Sequence, residues 1–340
     1  MIILKFDEEV SGHMKIIMPI AGKGTRLRPH THVIPKSLIR VAGKPIINYI
    51  IEQIQGVDFS EIIFIIGHLG DQIHSYLEDN YKFPMKFIRQ LDFKGLGHAI
   101  YQAKSAFAQD EQVLVLLGDI IFTIDTYNII KSADNMLGVM KVDDPKRFGI
   151  VMFDDKGYVI NMIEKPEKPL TNTAIAGIYF FQSAYRLFDG IQYIINEKIM
   201  TRDEYQLTDA MKRMMYQGDK FKVFDVPEWY DCGEKASLLE TNKIMLSRYA
   251  TNDKVRGSII VPPVFIGNET VIENSIIGPN VSISEGSTVK NSIISNSILG
   301  KETIVESTIL DGSLIGDNAY LAEKPSEFNI GPDSEMIFTK

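Results

Sequence analysis

A loop rich in glycine and basic residues follows the first apolar segment of this 340-residue chain. It contains Gly22, Gly24 and Arg26, and Lys36 follows ten residues after Arg26. Glycines after a strand let backbone N–H groups approach phosphate oxygens, because no side chain intervenes. A guanidinium and an ammonium nearby can hold the negative charge of a triphosphate. The residue types and their order therefore predict a site for a small polyanion.

The same loop differs from two common phosphate-binding signatures. The spacing GxxxxGK[ST] of a Walker loop is absent, and Leu27 stands where GxGxxG requires its third glycine. Further along the chain, Asp119 follows Gly118 at the end of an apolar segment. Taken by itself, an aspartate at such a place is more often a cap or turn residue.

The charge distribution supports the prediction of a polyanion site. The net charge of −8 argues against general nucleic-acid binding. No acidic residue stands between Glu9 and Glu52, whereas this stretch carries seven basic residues. They are Lys15, Lys23, Arg26, Arg28, Lys36, Arg40 and Lys44. A locally basic segment in an acidic protein favours a small bound anion.

Composition excludes several other classes of protein. Hydrophobic residues make up 45% and charged residues 24%, which are ordinary values for a globular protein. The sequence contains no run of eighteen apolar residues, which a membrane span would require, and its start lacks a signal-peptide pattern. We therefore expect a cytoplasmic protein. The one cysteine, Cys232, excludes an internal disulfide framework. Residues 1–13 are set aside as an extension or tag remnant.

The elements that must position these residues alternate between strands and helices. Apolar runs predict buried strands at 16–20, 61–66, 86–88 and 113–117. Helical spacing follows Pro45, and Asp71 is expected to cap a second helix. This alternation predicts an α/β fold with a Rossmann-like, mostly parallel sheet and helices on both faces. Ligands bind at the carboxyl ends of such strands, so the glycine loop and Asp119 should share one cleft.

A change of composition from about Gly257 predicts a second architecture. Aliphatic residues recur every five or six positions, with Gly, Asn, Ser and Thr between them. The twelve positions are Ile260, Ile266, Ile272, Ile277, Ile283, Val289, Ile294, Leu299, Val305, Leu310, Ile315 and Leu321. This hexapeptide repeat predicts a parallel β-helix of about four turns. The expected domains are 14–250, a β-helix over 257–321 and a tail over 322–340.

The segment from Gly22 to Lys36 resembles the signature of the sugar nucleotidylyltransferase (NDP-sugar pyrophosphorylase) family, G-x-G-T-R-x-x-P-x-T-x-x-x-P-K. The resemblance implies an enzyme that makes an NDP-sugar and pyrophosphate from an NTP and a sugar-1-phosphate. It also implies a left-handed β-helix, as in the long members of the family. The residues that it assigns to nucleotide binding are Ala21, Gly22, Gly24, Thr25, Arg26, Gln90, Gly95 and Gly118.

Later segments resemble the other motifs of this family. Asp119 and Asp231 match its two Mg²⁺ ligands. Glu164-Lys165-Pro166 resembles the E-K-P motif, whose glutamate bonds sugar hydroxyls and whose lysine meets the sugar phosphate. The range 205–210 resembles the helix that begins after the sugar pocket. The residues assigned to the sugar phosphate are Gly149, Glu164, Lys165, Gly177 and Tyr179. The residues assigned to catalysis are Arg26, Lys36, Asp119, Lys165 and Asp231.

The resemblance leaves the base and the sugar open. The segment from Gly95 to Ala99 is closest to the uridylyl and thymidylyl branches, so dTTP or UTP is expected, with glucose-1-phosphate as the default sugar. Lys23 stands where many members have an extra glycine, and Ile120 follows Asp119 where the thymidylyl branch usually has asparagine. Both departures weaken any choice between the two nucleotides.

Two other functions remain as alternatives. One is a bifunctional enzyme whose β-helix transfers acyl groups, although such enzymes commonly use a histidine and the predicted helix has none. The other is a non-catalytic subunit that binds nucleotide sugars, which should have lost residues such as Arg26 or Asp231. A homo-oligomer is expected through the β-helix or the catalytic domain, whereas its size and any feedback regulation stay open.

Overall fold

The computed structural model describes residues 14–107, 111–249 and 255–323. The predicted extension at 1–13 and most of the predicted tail lie outside the described residues. The chain divides into two compact units between Thr241 and Asn242. Across the described residues, no helix is both long and apolar enough to cross a membrane.

The first unit combines strands and helices in alternation over most of its length. Its strands are β1 (Met14–Pro19), β2 (Arg40–Val41), β3 (Lys44–Pro45), β4 (Glu61–Ile66), β5 (Met85–Arg89), β6 (Gln112–Leu116), β7 (Ile120–Thr123), β8 (Asn135–Lys141), β9 (Gly149–Phe153), β10 (Val159–Glu164), β11 (Thr173–Phe181), β12 (Phe221–Asp225) and β13 (Glu228–Asp231). Its helices are α1 (Ile46–Glu52), α2 (Gly70–Asn80), α3 (Leu96–Tyr101), α4 (Thr126–Ile130), α5 (Ala184–Asn196) and α6 (Leu207–Tyr216), while α7 (Lys235–Tyr249) runs across the division.

The central sheet has the strand order β10-β9-β11-β6-β1-β4-β5, with β8 and β12 branching from β11. Strand β1 is parallel to both β4 and β6, and β5 is parallel to β4. The four strands predicted from apolar runs are therefore neighbours, and the expected Rossmann-like, mostly parallel sheet is confirmed. Strand β11 runs antiparallel to β6, β8 and β9, which makes the sheet mixed.

The core of this sheet consists of its aliphatic strand residues. Ile17 of β1, Ile63 of β4 and Val115 of β6 are fully buried and belong to one hydrophobic cluster. Parallel strands that are buried on both faces have continuous apolar sequences. This is why the apolar runs in the sequence located them. The carboxyl ends of β1 and β6 lie side by side, and each leads into a loop with predicted functional residues.

One predicted helix cap is wrong. The residue that caps α2 is Leu69, in the left-handed conformation with φ of 64°. Asp71 lies within the first turn, where its carboxylate accepts a hydrogen bond from Arg89 at 2.6 Å. A carboxylate in the first turn still interacts favourably with the helix dipole. The sequence therefore located the start of this helix to within two residues.

The second unit is a β-helix of four coils. Its strands are β14 (Ile259–Ile260), β15 (Val264–Ile266), β16 (Val271–Glu273), β17 (Ile276–Ile277), β18 (Val281–Ile283), β19 (Thr288–Lys290), β20 (Ile293–Ser295), β21 (Ile298–Leu299), β22 (Ile304–Glu306), β23 (Ile309–Asp311), β24 (Leu314–Ile315) and β25 (Tyr320–Ala322). They form three parallel four-stranded sheets, as expected for a left-handed β-helix.

The repeated aliphatic residues fill the interior of these coils. Ile277, Ile283, Val289 and Ile294 are fully buried, and so is Leu299. Because each sheet stacks equivalent positions of successive coils, one aliphatic residue per face is enough to build a continuous core. The hexapeptide pattern thus predicted both the inward positions and the number of turns.

Candidate active site

Two adjoining cavities lie at the carboxyl ends of the central strands in the first unit. The larger one, of about 560 Å³, contains all eight residues predicted to bind nucleotide: Ala21, Gly22, Gly24, Thr25, Arg26, Gln90, Gly95 and Gly118. Lys36 also lines this cavity, which we call the nucleotide cavity. The expected shared cleft of the glycine loop and Asp119 is therefore present in the structure.

The smaller cavity, of about 290 Å³, contains all five residues predicted for the sugar phosphate: Gly149, Glu164, Lys165, Gly177 and Tyr179. Asp231 lines this second cavity, which we call the sugar cavity. Arg26 and Asp119 line both. The two groups of predicted residues thus meet along one boundary, although they come from distant parts of the chain.

The glycine loop depends on backbone geometry that side chains would obstruct. Gly24 has φ of 59°, a left-handed conformation, and a Cβ there would lie 2.9 Å from Thr31 Cγ2. Thr31 in turn donates a hydrogen bond to the Gly24 carbonyl at 2.8 Å. Glycine is needed here because it adopts this conformation without steric cost. This hydrogen bond ties Gly24 to Thr31 and so fixes the loop that follows β1.

Asp119 reaches the cleft because Gly118 lacks a side chain. A Cβ at Gly118 would meet Ile20 Cγ2 at only 2.0 Å, so the chains after β1 and β6 touch at this point. Beside them, the Lys36 ammonium donates a hydrogen bond to Asp119 Oδ2 at 2.8 Å. The close approach therefore places a carboxylate and an ammonium together next to the glycine loop.

Asp231 is brought to Asp119 by a separate two-stranded ribbon. Strand β13 pairs antiparallel with β7, so that Asp231 lies opposite Ile120. The Cys232 amide donates to the Asp119 carbonyl at 3.2 Å, and the Gly233 amide donates to Asp231 Oδ1 at 2.7 Å. The end of the ribbon thereby holds Asp231 beside the segment of Asp119, although 112 positions separate the two residues in the chain.

The sugar cavity has a carboxylate and an ammonium on consecutive residues. Glu164 Oε2 accepts a hydrogen bond from the Thr208 hydroxyl at 2.7 Å, which orients the carboxylate. Lys165 Nζ lies 3.6 Å from Glu164 Oε1, and the Lys165 backbone has φ of 40°. The left-handed backbone turns the lysine side chain out of the strand direction and towards the cavity that it lines.

The buried tyrosine and cysteine of this region are held protonated. Burial is the main cause that raises the pKa of Tyr179, and the charges of Glu164 and Asp119 raise it further. Burial likewise raises the pKa of the Cys232 thiol to about 12. A thiol that stays neutral is a poor nucleophile, so Cys232 is part of the packing and not a candidate for covalent catalysis.

Sequence reasoning missed two charged residues that line the cleft, Arg147 and Glu204, and a third, Arg202, that contacts its lining. Arg147 lines the sugar cavity and lies 3.7 Å from Asp231 Oδ2. Glu204 lines both cavities, and Arg202 donates to the Lys165 carbonyl at 2.8 Å. Arg147 stands two residues before Gly149, and Arg202 and Glu204 stand within three residues of the range 205–210. Adjacency to those motifs was the available signal.

The nucleotidyl transferase family matches residues 14–248, which cover the whole cleft. This chain belongs to that family. The match agrees with the family that the sequence motifs indicated, and the two cavities lie inside the matched segment.

Two relatives of this nucleotidyl transferase differ in the extent of the match. The bifunctional protein GlmU of Methanocaldococcus jannaschii is 36% identical over 265 residues, which cover 78% of this chain and 61% of that protein. The chain thus spans less than two thirds of the length of this relative. The low-salt glycan biosynthesis nucleotidyltransferase Agl11 of Haloferax volcanii is 32% identical over 342 residues, covering 91% of this chain and 94% of that protein.

Two solved structures resemble this nucleotidyl transferase. A UDP-glucose pyrophosphorylase in complex with UDP-glucose is 23% identical, with a TM-score of 0.58 over 69% of this chain and 99% of that chain. At this identity the likeness concerns the fold. A putative glucose-1-phosphate thymidylyltransferase from Bacillus anthracis is 27% identical, with a TM-score of 0.57 over 71% of this chain and 98% of that chain.

Members of this family generally use a divalent metal ion. The donors of this nucleotidyl transferase suit such an ion, since Asp119 and Asp231 supply carboxylate oxygens to the sugar cavity. Hard divalent cations prefer one or two protein carboxylates together with phosphate oxygens and water. Within the described residues no group of three or more acidic, histidine or cysteine side chains could hold a metal alone. The two carboxylates therefore suit an ion whose other ligands include the oxygens of a bound phosphate.

Proposed function

We propose that this chain is a sugar-1-phosphate nucleotidylyltransferase, which makes an NDP-sugar and pyrophosphate from an NTP and a sugar-1-phosphate. The observation that carries the proposal is the boundary between the two cavities, which Arg26 and Asp119 line from both sides. An NTP held by the glycine loop and a sugar phosphate held near Lys165 would meet at that boundary.

The proposed reaction is an in-line displacement at phosphorus. A phosphate oxygen of the sugar-1-phosphate attacks the α-phosphorus of the NTP, and the bond from this phosphorus to the pyrophosphate oxygen breaks. The nucleophile is an anion at neutral pH, so no side chain has to remove a proton from it. Catalysis then depends on positioning and on fixed charge, which is what the cleft provides.

The basic residues have distinct places in this reaction. Arg26 and Lys36 line the nucleotide cavity, where they would neutralise the triphosphate and the leaving pyrophosphate. Lys165 lines the sugar cavity, where it would bind the sugar phosphate beside Glu164. We propose that Asp119 and Asp231 hold Mg²⁺, which polarises the α-phosphoryl group when it is bound.

The proposed substrates are glucose-1-phosphate and either dTTP or UTP. The names of the two similar solved structures support this choice, since one is a UDP-glucose pyrophosphorylase and the other a putative glucose-1-phosphate thymidylyltransferase. The segment from Gly95 to Ala99, which begins beside Gln90 in the nucleotide cavity, supports a pyrimidine nucleotide.

We also propose a homo-oligomer assembled through the β-helix. Ile259, Ile276, Ile293 and Ile309 stack in register on one sheet and are 59%, 36%, 45% and 74% exposed. A contiguous exposed apolar column is unusual on a monomer and typical of an interface. Ile293→Lys should convert an oligomer to a smaller species in light scattering, whereas an unchanged mass would exclude this face.

The function is tested by pyrophosphate release with glucose-1-phosphate, Mg²⁺ and each of UTP, dTTP, GTP, CTP and ATP. Release with UTP or dTTP alone is the expected result. Release only with GTP or ATP would keep the reaction and overturn the choice of base. No release with these nucleotides or with a panel of other sugar phosphates would favour the non-catalytic alternative.

A second candidate is the bifunctional enzyme with acyl transfer on the β-helix. The name of the relative from Methanocaldococcus jannaschii favours it, because that protein is called bifunctional. The β-helix sequence lacks the histidine that such transfer commonly uses. Release of free coenzyme A from acetyl-CoA with an amino-sugar phosphate would support this candidate, and no release would remove it.

A further inference from the structure

An imidazole lies between two glutamine amides at the edge of the nucleotide cavity. His98 of α3 has its Nδ1 3.3 Å from Gln90 Nε2 and its Nε2 3.3 Å from Gln102 Nε2. Gln90 is 5% exposed and lines the cavity, whereas His98 and Gln102 do not line it. The His98 side chain is therefore linked to the cavity through its contact with Gln90.

A neutral imidazole can accept only one of these amide hydrogens, because one of its nitrogens carries a proton. The ring also has a hydrogen bond to the backbone of Asp92. Gln102 Nε2 has another acceptor, the His98 carbonyl at 3.2 Å. Because Gln102 has this second acceptor, Nδ1 of His98 is available to accept from the amide of Gln90.

This contact decides which polar atom of Gln90 faces the cavity. When Nε2 donates to His98, the carbonyl oxygen Oε1 of the same amide turns away from the ring. Oε1 can only accept hydrogen bonds. Uracil and thymine present an N3–H donor on the edge that pairs in duplexes, whereas cytosine presents an unprotonated N3 acceptor at the same place. An acceptor aimed at this position therefore distinguishes the two kinds of pyrimidine.

We propose that His98 is a positioning residue that holds the Gln90 amide with Oε1 towards the nucleobase. It thereby favours pyrimidine nucleotides with an N3–H over cytosine nucleotides. The inference rests on the proposed function, since it assumes that the nucleotide cavity binds an NTP. A site that uses such a hydrogen bond rejects a base that cannot make it, because the buried amide is then left unpaired.

The electrostatic surroundings keep His98 in the form that accepts from Gln90. Burial is the main cause that lowers the pKa of His98, and the Lys94 charge lowers it further. The opposing influence is Asp92, which forms an ion pair with Lys94 at 3.0 Å. The ring is therefore neutral at pH 7. In acid, below the usual imidazole range, both nitrogens would donate and Gln90 would have to turn its amide.

The test compares equilibrium binding of UTP and CTP, measured by calorimetry, in wild-type protein and three variants. His98→Leu removes the acceptor, and we expect the preference for UTP to fall at least about tenfold, or about 1.4 kcal/mol. His98→Asn retains an acceptor near Nδ1 and should keep most of the preference. Gln102→Leu is the matched control, because it removes the amide that does not face the cavity.

A pH series separates positioning from a merely structural role. The wild-type preference for UTP should decline as the pH falls below the usual imidazole range, within the range where cytosine itself stays unprotonated. The preference of His98→Asn should stay constant over that range. Equal weakening of UTP and CTP in His98→Leu, or a wild-type protein that binds both alike, would overturn the inference. Selective binding without turnover would contradict the proposed function alone. Binding of neither nucleotide would contradict both the proposed function and the role of His98.

Discussion

The Lys36 ammonium lies 2.8 Å from Asp119 Oδ2, although 83 positions separate the two residues in the chain. The contact joins the segment after the glycine loop to the end of β6. The lysine side chain is 11% exposed and the aspartate side chain 45% exposed. Of the two groups, the carboxylate is therefore the one that solvent can reach. A partly exposed carboxylate with a fixed cation behind it can still take up a ligand from solution.

Asp119→Asn should lower turnover by at least about a hundredfold, because the amide keeps the volume of the carboxylate but not its charge. Pyrophosphate release at saturating substrate gives the measurement. Thermal unfolding should change little, since Asp119 is half exposed. Asp143→Asn, an exposed carboxylate outside both cavities, is the control and should be fully active. Near-normal turnover of Asp119→Asn would remove this residue from the mechanism.

Lys165 allows activity and stability to be separated. Both Lys165→Ala and Lys165→Gly should lower turnover by at least about a hundredfold, because each removes the ammonium from the sugar cavity. Since φ at this position is 40°, the glycine variant should be more stable than the alanine variant by about 1 kcal/mol.

Urea unfolding of the two Lys165 variants measures this stability difference. Lys168→Ala, which removes an exposed lysine three residues away, should retain both activity and stability. If the alanine and glycine variants unfold at the same urea concentration, the left-handed backbone is not a constraint on this position.

Two glycines of the same loop should respond differently to alanine. A Cβ at Gly22 meets no atom within 4 Å, so Gly22→Ala should leave the unfolding free energy within about 0.5 kcal/mol. The added methyl group would occupy space in the nucleotide cavity and raise KM for the NTP.

Gly24→Ala should instead destabilise the protein by about 1 kcal/mol or more, because φ is 59° and Thr31 lies too close. Each variant serves as the control for the other. The explanation would be wrong if Gly22→Ala were the less stable of the two.

Alkaline pH should destabilise the first unit through Tyr81. Burial raises the pKa of this phenol, and the charges of Tyr76 and Glu52 raise it further. A raised pKa means that the folded state holds the proton more tightly than the unfolded state. The stability is therefore complete below about pH 10 and declines above it, by about 1.4 kcal/mol per pH unit for each such group.

Tyr81→Phe should reduce the slope of unfolding free energy against pH above this point. Tyr179 and Cys232 titrate in the same direction, so some slope should remain. Tyr127→Phe is the control, because Tyr127 is 59% exposed and should leave the slope unchanged. Equal slopes for Tyr81→Phe and the wild-type protein would show that the Tyr81 phenol is not a source of the alkaline destabilisation.

Local sequence predicted the parts of the cleft that follow directly from strand ends. Gly24 and Asp119 each terminate an apolar run, and parallel strands bring such ends together. The repeat after Gly257 was equally readable, because one coil resembles the next. These features depend on periodicity and short-range order, which a single sequence displays.

The remaining features depend on contacts between distant segments. Arg202 was missed because its partner is the backbone carbonyl of Lys165, and a carbonyl leaves no trace in the sequence. The cap of α2 was misplaced because Leu69 adopts a left-handed conformation that its residue type does not suggest. The pairing of His98 with Gln90 was also hidden, since it joins a strand end to a helix across a loop.

The coils of the β-helix have a consequence for how this chain can change in length. Equivalent residues of successive coils are separated by sixteen or seventeen positions, as in the asparagine pairs Asn274–Asn291 and Asn280–Asn296. Inserting or deleting one whole coil would preserve every stacked aliphatic residue. Any other length would turn inward residues outward. The domain should therefore lengthen or shorten only by whole coils of sixteen or seventeen residues.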